Sequence, residues 1–487
     1  MQRGRTTERA AVQVLRPGHT CWRIEQADRL ALIIDAADYF RAVRSAMLKA
    51  QHSILMIGWD FDTRIELDPT DGTGEYPRRL GAFLTWLAET KPGLHINILK
   101  WDLGMVKALW RGTTIFRVAQ WALHERITFK LDSAHPPGAA QHHKIVVIDD
   151  AVAFCGGIDM TGDRWDTSEH LDDDPRRRRP FTRRAYGPWH DATTAASGAA
   201  AKALGDYARE RWRRASGQVL VPPPAGSDPW PEGLHVDMAD VAVAIARTIP
   251  AYNTQKEVRE VEALYVTAIA SARRSVYLES QYFASRVIAE AIAKRLGEPD
   301  GPEFVIINPD SAEGWLEEEL MGSARARLLA MLGRSDCFKR LRVYTPVTEG
   351  GQPIYVHAKI MIVDDRLLRV GSSNLNNRSM GYDTECDLAL EADNDTHLSR
   401  TIQGFRARLL AEHLGTSAEQ VATIVSERQS LIAAIEQLSG SGRSLRPFVP
   451  PQINDAEKEL ADHEVLDPER PRSLWHSLPW HRPLIFR

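Results

Sequence analysis

His142-His143-Lys144-Ile145-Val146-Val147-Ile148-Asp149-Asp150 returns later in the chain as His357-Ala358-Lys359-Ile360-Met361-Ile362-Val363-Asp364-Asp365. Counted from each leading histidine, Lys144 and Lys359 stand two residues on and Asp149 and Asp364 seven on. Gly156 and Gly371 stand fourteen on, and Asp159 and Asn374 seventeen on. The four apolar residues between lysine and aspartate suit a short strand buried on both faces. Side chains alternate along such a strand, so histidine and lysine share one face and the aspartate falls on the other. The pairs Asp149-Asp150 and Asp364-Asp365 read as turns, which makes Asp149 and Asp364 structural supports rather than bases.

Working outward, the flanking segments repeat as well. A helix over Ala36 to Gln51 precedes a strand over Ser53 to Trp59, matched by a helix over Val258 to Arg274 and a strand over Ser275 to Phe283. A helix over Pro77 to Thr90 with a strand over Leu94 to Trp101 is matched by a helix from Ser285 to Leu296 with a strand from Glu303 to Asn308. Cys21 to Ile24 reads as the first strand, and residues 1 to 20 as loosely ordered. Helices alternating with apolar strands give an α/β fold. The expected architecture is two similar halves, each a mixed, mostly parallel sheet flanked by helices, packed around a pseudo-two-fold axis with the active site between them.

The 487 residues divide into a first repeat over 1–220, a Pro-rich linker over 221–235, a second repeat over 236–430 and a carboxy-terminal tail over 431–487. A terminal helix is expected over 416 to 438, and Trp475 and Trp480 of the tail are expected to pack across the surface or fray. The charge-segregated run from Asp172 to Arg179 reads as a solvated loop or an anion-attracting lid. The hydrophobic fraction of 43% and charged fraction of 26% are ordinary for a globular protein. No apolar run approaches the roughly 18 residues a bilayer span needs, and no apolar stretch follows the basic start to make a cleavable signal. The expectation is a soluble monomer, cytoplasmic or peripheral to a membrane, with signal-independent export left open. A net charge of -4 argues against a protein built to grip nucleic acid. Cys21, Cys155, Cys337 and Cys386 lack metal-finger spacing and read as small buried hydrophobes. His143, His170 and His190 match no common ligand pattern, so neither metal nor cofactor is expected.

Two related halves meeting at a two-fold axis would bring His142, Lys144, His357 and Lys359 into one cleft. A histidine titrates near neutrality, so one imidazole can attack while the other donates a proton. The lysines are point charges suited to phosphate oxygens. That set fits a phosphodiester.

The two His-x-Lys-x-x-x-x-Asp motifs resemble those of the phospholipase D superfamily. Gly156 to Asp166, Tyr277 to Phe283 and Asn374 to Ser379 look like the phosphatidylcholine-type phospholipases D, and the resemblance covers roughly residues 20 to 415. It implies a metal-independent reaction through a phosphohistidine, with His142, Lys144, Asp149, His357, Lys359 and Asp364 as the motif's catalytic set. His142 would be the nucleophile and His357 the acid and then base, with the reverse assignment left open. Lys144, Lys359, Asn374 and Ser372 would hold phosphate oxygens. Asp191 and Glu385 would orient the histidines from the strand that follows each motif. Asp159 stands where many relatives carry asparagine, and a carboxylate there would repel phosphate unless paired.

The implied activity is hydrolysis of a glycerophospholipid at a membrane surface, phosphatidylcholine foremost, to phosphatidate and free head group, with transfer to an alcohol when one competes with water. The alternatives are a cardiolipin or phosphatidylserine synthase-type phosphatidyltransferase, a nucleic-acid phosphodiesterase, and a catalytically silent lipid-binding module.

Overall fold

The computed structural model describes residues 13–70, 74–102, 113–311, 315–449 and 467. In the first half lie β1 (Arg23–Ile34), β2 (Ser53–Gly58), β3 (His95–Trp101), β4 (Ile127–Asp132), β5 (Ile145–Ile148), β6 (Val152–Gly156), β7 (Trp189–His190) and β8 (Ala192–Ser197). The second half begins with β9 (Met238–Ile249), β10 (Val258–Arg259), β11 (Ser275–Glu279), β12 (Glu303–Ile307) and β13 (Leu341–Val347). It ends with β14 (Tyr355–Val356), β15 (Ile360–Val363), β16 (Leu367–Gly371), β17 (Glu385–Glu391) and β18 (Ser444–Pro447).

All but β7 and β14 join one sheet, in the order β18-β13-β12-β11-β15-β16-β17-β9-β1-β8-β6-β5-β2-β3-β4, with β10 on β9. Outward from its centre the sheet reads β1, β8, β6, β5, β2, β3, β4 on one side and β9, β17, β16, β15, β11, β12, β13 on the other. The two series match strand for strand. In each, the outer three strands run parallel and the remaining neighbours antiparallel. The halves meet in the antiparallel β1–β9 ladder, from Arg23 opposite Ile245 to Leu30 opposite Met238. Antiparallel pairing is what a two-fold axis between equivalent strands demands.

Alternation along β1 explains how the core is shared. Leu30, Leu32 and Ile34 enter a cluster that also holds Val243 and Ile245 of β9, so one apolar layer runs across both halves. Ala31 and Ile33 point the other way into a cluster built almost wholly by the first half. Ala244 and Ala246 of β9 enter the corresponding layer of the second half. The helices Ala36–Lys49, Leu80–Thr90 and Glu260–Ser271 bury apolar faces against these layers.

Several elements differ from their sequence reading. β1 runs 12 residues rather than four, because pairing with β9 carries it through the polar Glu25, Gln26 and Asp28. Val14 and Leu15 are buried, and their amides donate to Glu391, so residues 13–20 are fastened down. The expected 416–438 helix is two helices, Ala418–Arg428 and Leu431–Leu438. It breaks where Gln429 takes φ 53° and the Ser430 hydroxyl caps the next helix through Ala433 N. Residues 431–449 are no separate tail, since Leu431 and Ile435 pack into the shared layer and β18 pairs with β13. Trp475 and Trp480 lie outside the described residues. The 172–179 run is an ion-paired strap: Arg177 is buried on Asp166, Arg176 holds Asp174, and Asp172 takes Gly350 N from the second half. Cys337 is exposed, whereas the other three cysteines are buried.

Candidate active site

Both motif strands turn over through a pair of aspartates in the left-handed region, Asp149 and Asp150 at φ 52° and 52°, Asp364 and Asp365 at 53° and 54°. Aspartate tolerates this conformation better than most residues. The Asp149 carboxylate accepts from the amides of Gln51, His52 and Ser53 at 2.7–2.8 Å. Asp364 accepts from those of Arg273, Arg274 and Ser275 at 2.6–2.9 Å. These carboxylates clamp β2 and β11 at the end of β5 and β15 remote from the histidines. Their place in the catalytic set is therefore corrected to that of turn anchors.

Each motif histidine is held by the opposite half. His142 N donates to Thr384 O at 3.0 Å, and His357 N donates to His190 O at 2.8 Å. The residue after each of these carbonyls supplies a carboxylate: Glu385 lies 3.0 Å from His142 Nδ1, and Asp191 lies 2.6 Å from His357 Nδ1. Sequence reading named both acids but not this exchange. Glu385 also accepts from Ser372 Oγ at 2.5 Å and Ser379 Oγ at 2.7 Å. With Nδ1–H donated to a carboxylate, a neutral ring keeps its lone pair at Nε2 and can attack, while a protonated ring presents Nε2–H there and can act as an acid. Burial holds both imidazoles well below the ordinary histidine range, and Lys144 and Lys359 push in the same direction. Burial also raises the Glu385 carboxyl, against the pull of Lys144 and the two hydroxyls.

The two lysines are not equivalent. Lys144 Nζ donates to His142 O at 3.0 Å and pairs with Asp159 Oδ2 at 3.2 Å. Asp159 in turn accepts from Trp59 N at 3.0 Å, so the charge that would have repelled phosphate is paired. In the second copy Asn374 replaces that aspartate. Lys359 Nζ donates to His357 O and has no ion-pair partner among the described residues. Burial lowers Lys359 to about 7, Asp191 opposing and Lys144 adding to the shift. Asn374 Oδ1 is buried without a hydrogen-bond partner. Ser372 is corrected: its hydroxyl donates to Glu385 and accepts from Cys386 N at 3.0 Å, which commits it to the carboxylate rather than to phosphate. The motif glycines bring the strands close. A Cβ on Gly371 would lie 2.6 Å from Asp387 Cα, and one on Gly156 2.4 Å from Thr193 Cα.

Aromatic rings flank both imidazoles. Trp59 meets His142 edge-on at 6.3 Å and stacks on Trp101 at 5.8 Å. Trp189 stacks on Tyr355 at 4.5 Å and lies 5.2 Å from His357. The Arg164 guanidinium sits 4.1 Å over the Trp189 ring and helps to depress His357. Sequence reading missed Arg164, Trp59, Trp189 and Tyr355 as site residues. The available signal was position, since Trp59 follows β2, and Trp189 and Tyr355 stand two residues before an orienting aspartate and a motif histidine.

Of the histidines set aside as metal ligands, His143 is remote, its Nε2 2.7 Å from Tyr207 Oη. His170 and His190 do converge, with Asp35 and Glu412, in a fully buried group.

This fold and site fall among known proteins. A family model described as phospholipase D matches residues 346–455. Phospholipase D A of Dictyostelium discoideum is 26% identical across 81% of this chain and 36% of its own length. Phospholipase D alpha 4 of Arabidopsis thaliana is 22% identical across 82% of this chain and 66% of its own. The chain thus spans about a third of the Dictyostelium protein. The phosphatidylserine synthase of Haemophilus influenzae Rd KW20 shares the fold, with a TM-score of 0.54 at 12% identity over 91% of this chain and 95% of that one. In sequence the chain is thus similar to phospholipases D, most directly over residues 346–455. Among the described residues no helix is long and apolar enough to cross a membrane.

Proposed function

We propose that the protein is a phospholipase D that cleaves glycerophospholipids, phosphatidylcholine foremost, by phosphoryl transfer through a covalent phosphohistidine. The observation that carries the reading is the pair of imidazoles, each with Nδ1 on a buried carboxylate and a motif lysine at its side.

His142 Nε2 attacks phosphorus while His357 Nε2–H protonates the departing head-group oxygen. The phosphorus–oxygen bond breaks as the phosphorus–nitrogen bond forms. His357, now neutral, takes the proton of water or an alcohol, whose oxygen displaces His142 and releases phosphatidate or its ester. Lys144, Lys359 and the Asn374 amide stabilise the charge that grows on the non-bridging oxygens. Asp191 and Glu385 fix the tautomers, and the roles of the two histidines are interchangeable in this geometry.

The test is incubation with phosphatidylcholine vesicles and ethanol, without added divalent cation, followed by lipid analysis. Phosphatidylethanol alongside phosphatidate is the expected product pair. Absence of both products overturns the reading, and turnover of phosphatidylglycerol or single-stranded DNA in parallel then assigns the chemistry to another phosphodiester.

A further inference from the structure

Behind the cleft lies a second constellation that the phosphoryl chemistry does not use. Asp35 follows β1 at the start of helix Ala36–Lys49, His170 lies in the loop after the first motif, His190 immediately precedes Asp191, and Glu412 comes from the helix Thr396–Leu414 of the second half. One donor atom from each of these four lies within 4.8 Å of the other three, and all four residues are buried.

We propose that Asp35, His170, His190 and Glu412 bind one divalent cation of the Zn2+ type, which fastens the two halves together behind His357. The separations fit: His190 Nδ1 to Glu412 Oε1 is 2.6 Å, His170 Nε2 to Glu412 Oε1 is 3.0 Å, His190 Nδ1 to Asp35 Oδ1 is 3.4 Å and His170 Nε2 to Asp35 Oδ2 is 3.7 Å. Four ligands at about 2.0–2.1 Å in a tetrahedron stand about 3.4 Å apart, inside that spread. Two imidazole nitrogens with two carboxylate oxygens suit Zn2+ and its first-row neighbours better than Mg2+ or Ca2+, which take oxygen sets.

The outer contacts orient the ligands as such sites require. His170 Nδ1 is 2.9 Å from Asp166, which Arg177 also holds at 3.0 Å. His190 Nε2 is 2.8 Å from Glu279, whose other oxygen lies 3.1 Å from His413. With those nitrogens protonated, His170 Nε2 and His190 Nδ1 carry lone pairs directed at Glu412. The alternative occupant is a pair of protons making both rings imidazolium, which supplies the same charge of two. That arrangement leaves Asp35 Oδ2, fully buried, without a hydrogen-bond partner; a cation takes it as the fourth ligand. Ile34, Ser168, Glu412 and Arg443 line a groove of about 1250 Å³ that offers an entry route.

The cation would act on the cleft through positioning alone. Asp35 N donates to Asp191 O at 2.8 Å, Asp191 N donates to Asp35 Oδ1 at 3.2 Å, and His190 O receives His357 N. Ligating Asp35 and His190 therefore fixes the segment that places Asp191 on His357 Nδ1.

The experiment is metal analysis of full-length protein expressed in zinc-supplemented medium and dialysed, beside Glu412→Gln, His170→Gln and Asp166→Asn. One equivalent of Zn2+ in the wild type, loss of it in the two ligand variants and 10–100-fold weaker binding in Asp166→Asn are expected. Replacement by Co2+ should give the intense visible absorption of a tetrahedral centre. Folded wild-type protein with less than a tenth of an equivalent of any first-row divalent metal overturns the proposal, as does full metal retention in either ligand variant. If the variants fail to fold, an octahedral Co2+ spectrum of the wild type overturns it. None of these readouts depends on lipid turnover.

Discussion

The inequality of the two lysines gives a pH dependence that can be worked out in advance. Lys359 is completely buried, lacks the carboxylate that Asp159 gives Lys144, and titrates at about 7. A lowered lysine carries its charge below that value and loses it as pH rises through it. About half of the Lys359 side chains are ammonium at pH 7 and about 1% at pH 9. If a bound tetrahedral oxyanion requires the charged form, its affinity falls about 50-fold over those two units, or about 2.3 kcal/mol. Sulfate is a suitable probe because it does not itself titrate there. The assay is calorimetric titration at half-unit steps from pH 6.5 to 9, in buffers of different ionisation enthalpy. Proton uptake near half an equivalent per sulfate is expected at pH 7, approaching one at pH 8.5. Lys359→Arg, whose guanidinium stays protonated, should abolish both the slope and the uptake. A flat wild-type profile, or an equal slope in the arginine variant, refutes the assignment of the proton to Lys359.

Other perturbations reach different parts of the site. Glu385→Gln removes the charge that faces His142 Nδ1–H and turns one of its oxygen acceptors into an NH2 donor; by comparison with triad aspartates this should lower kcat by about 10³–10⁴ with little change in KM, as steady-state kinetics would read. Asp149→Ala strips three backbone amides of their acceptor; a loss of about 2–3 kcal/mol in denaturant unfolding is expected. Gly371→Ala places a Cβ 2.6 Å from Asp387 Cα, overpacking that should cost about 3 kcal/mol and lower Tm clearly, whereas Gly404→Ala, with open space around it, should not.

The repeat was legible because it is written locally. Ile145–Ile148 and Ile360–Val363 fall on the strands the apolar runs indicated, since a strand buried on both faces needs nothing beyond its own composition. β1 was read short because its first half is polar, and only the ladder to β9, more than 200 positions away, makes it a strand. The parallel ladders are confined to three strands per half, where helices lie between successive neighbours, whereas β5–β6 and β15–β16 turn back directly through Asp149-Asp150 and Asp364-Asp365. The break at Gln429 was missed for the converse reason. Its cue is a single residue with positive φ ahead of a serine cap, inside a run whose apolar spacing continues on both sides.

The site was legible in its members and not in its partnerships, and the reason lies in the two-fold axis. Offsets counted within one half place Asp191 after the first motif and Glu385 after the second, which invites pairing each with its own histidine. The backbone does the opposite. Gln141 bridges to Thr384, and Tyr355–Val356 runs beside Trp189–His190. Each motif histidine therefore begins its strand on a scaffold from the other half, and the next residue of that scaffold carries the carboxylate. An axis through the β1–β9 ladder makes the two exchanges equivalent, so one crossover requires the other. Neither half holds both a motif histidine and the carboxylate that orients it, and a lesion at Asp191 should be felt at His357 and one at Glu385 at His142. The same axis leaves Lys144 and Lys359 with identical motif positions but different charges beside them, because Asp159 and Asn374 are the point at which the two copies diverge.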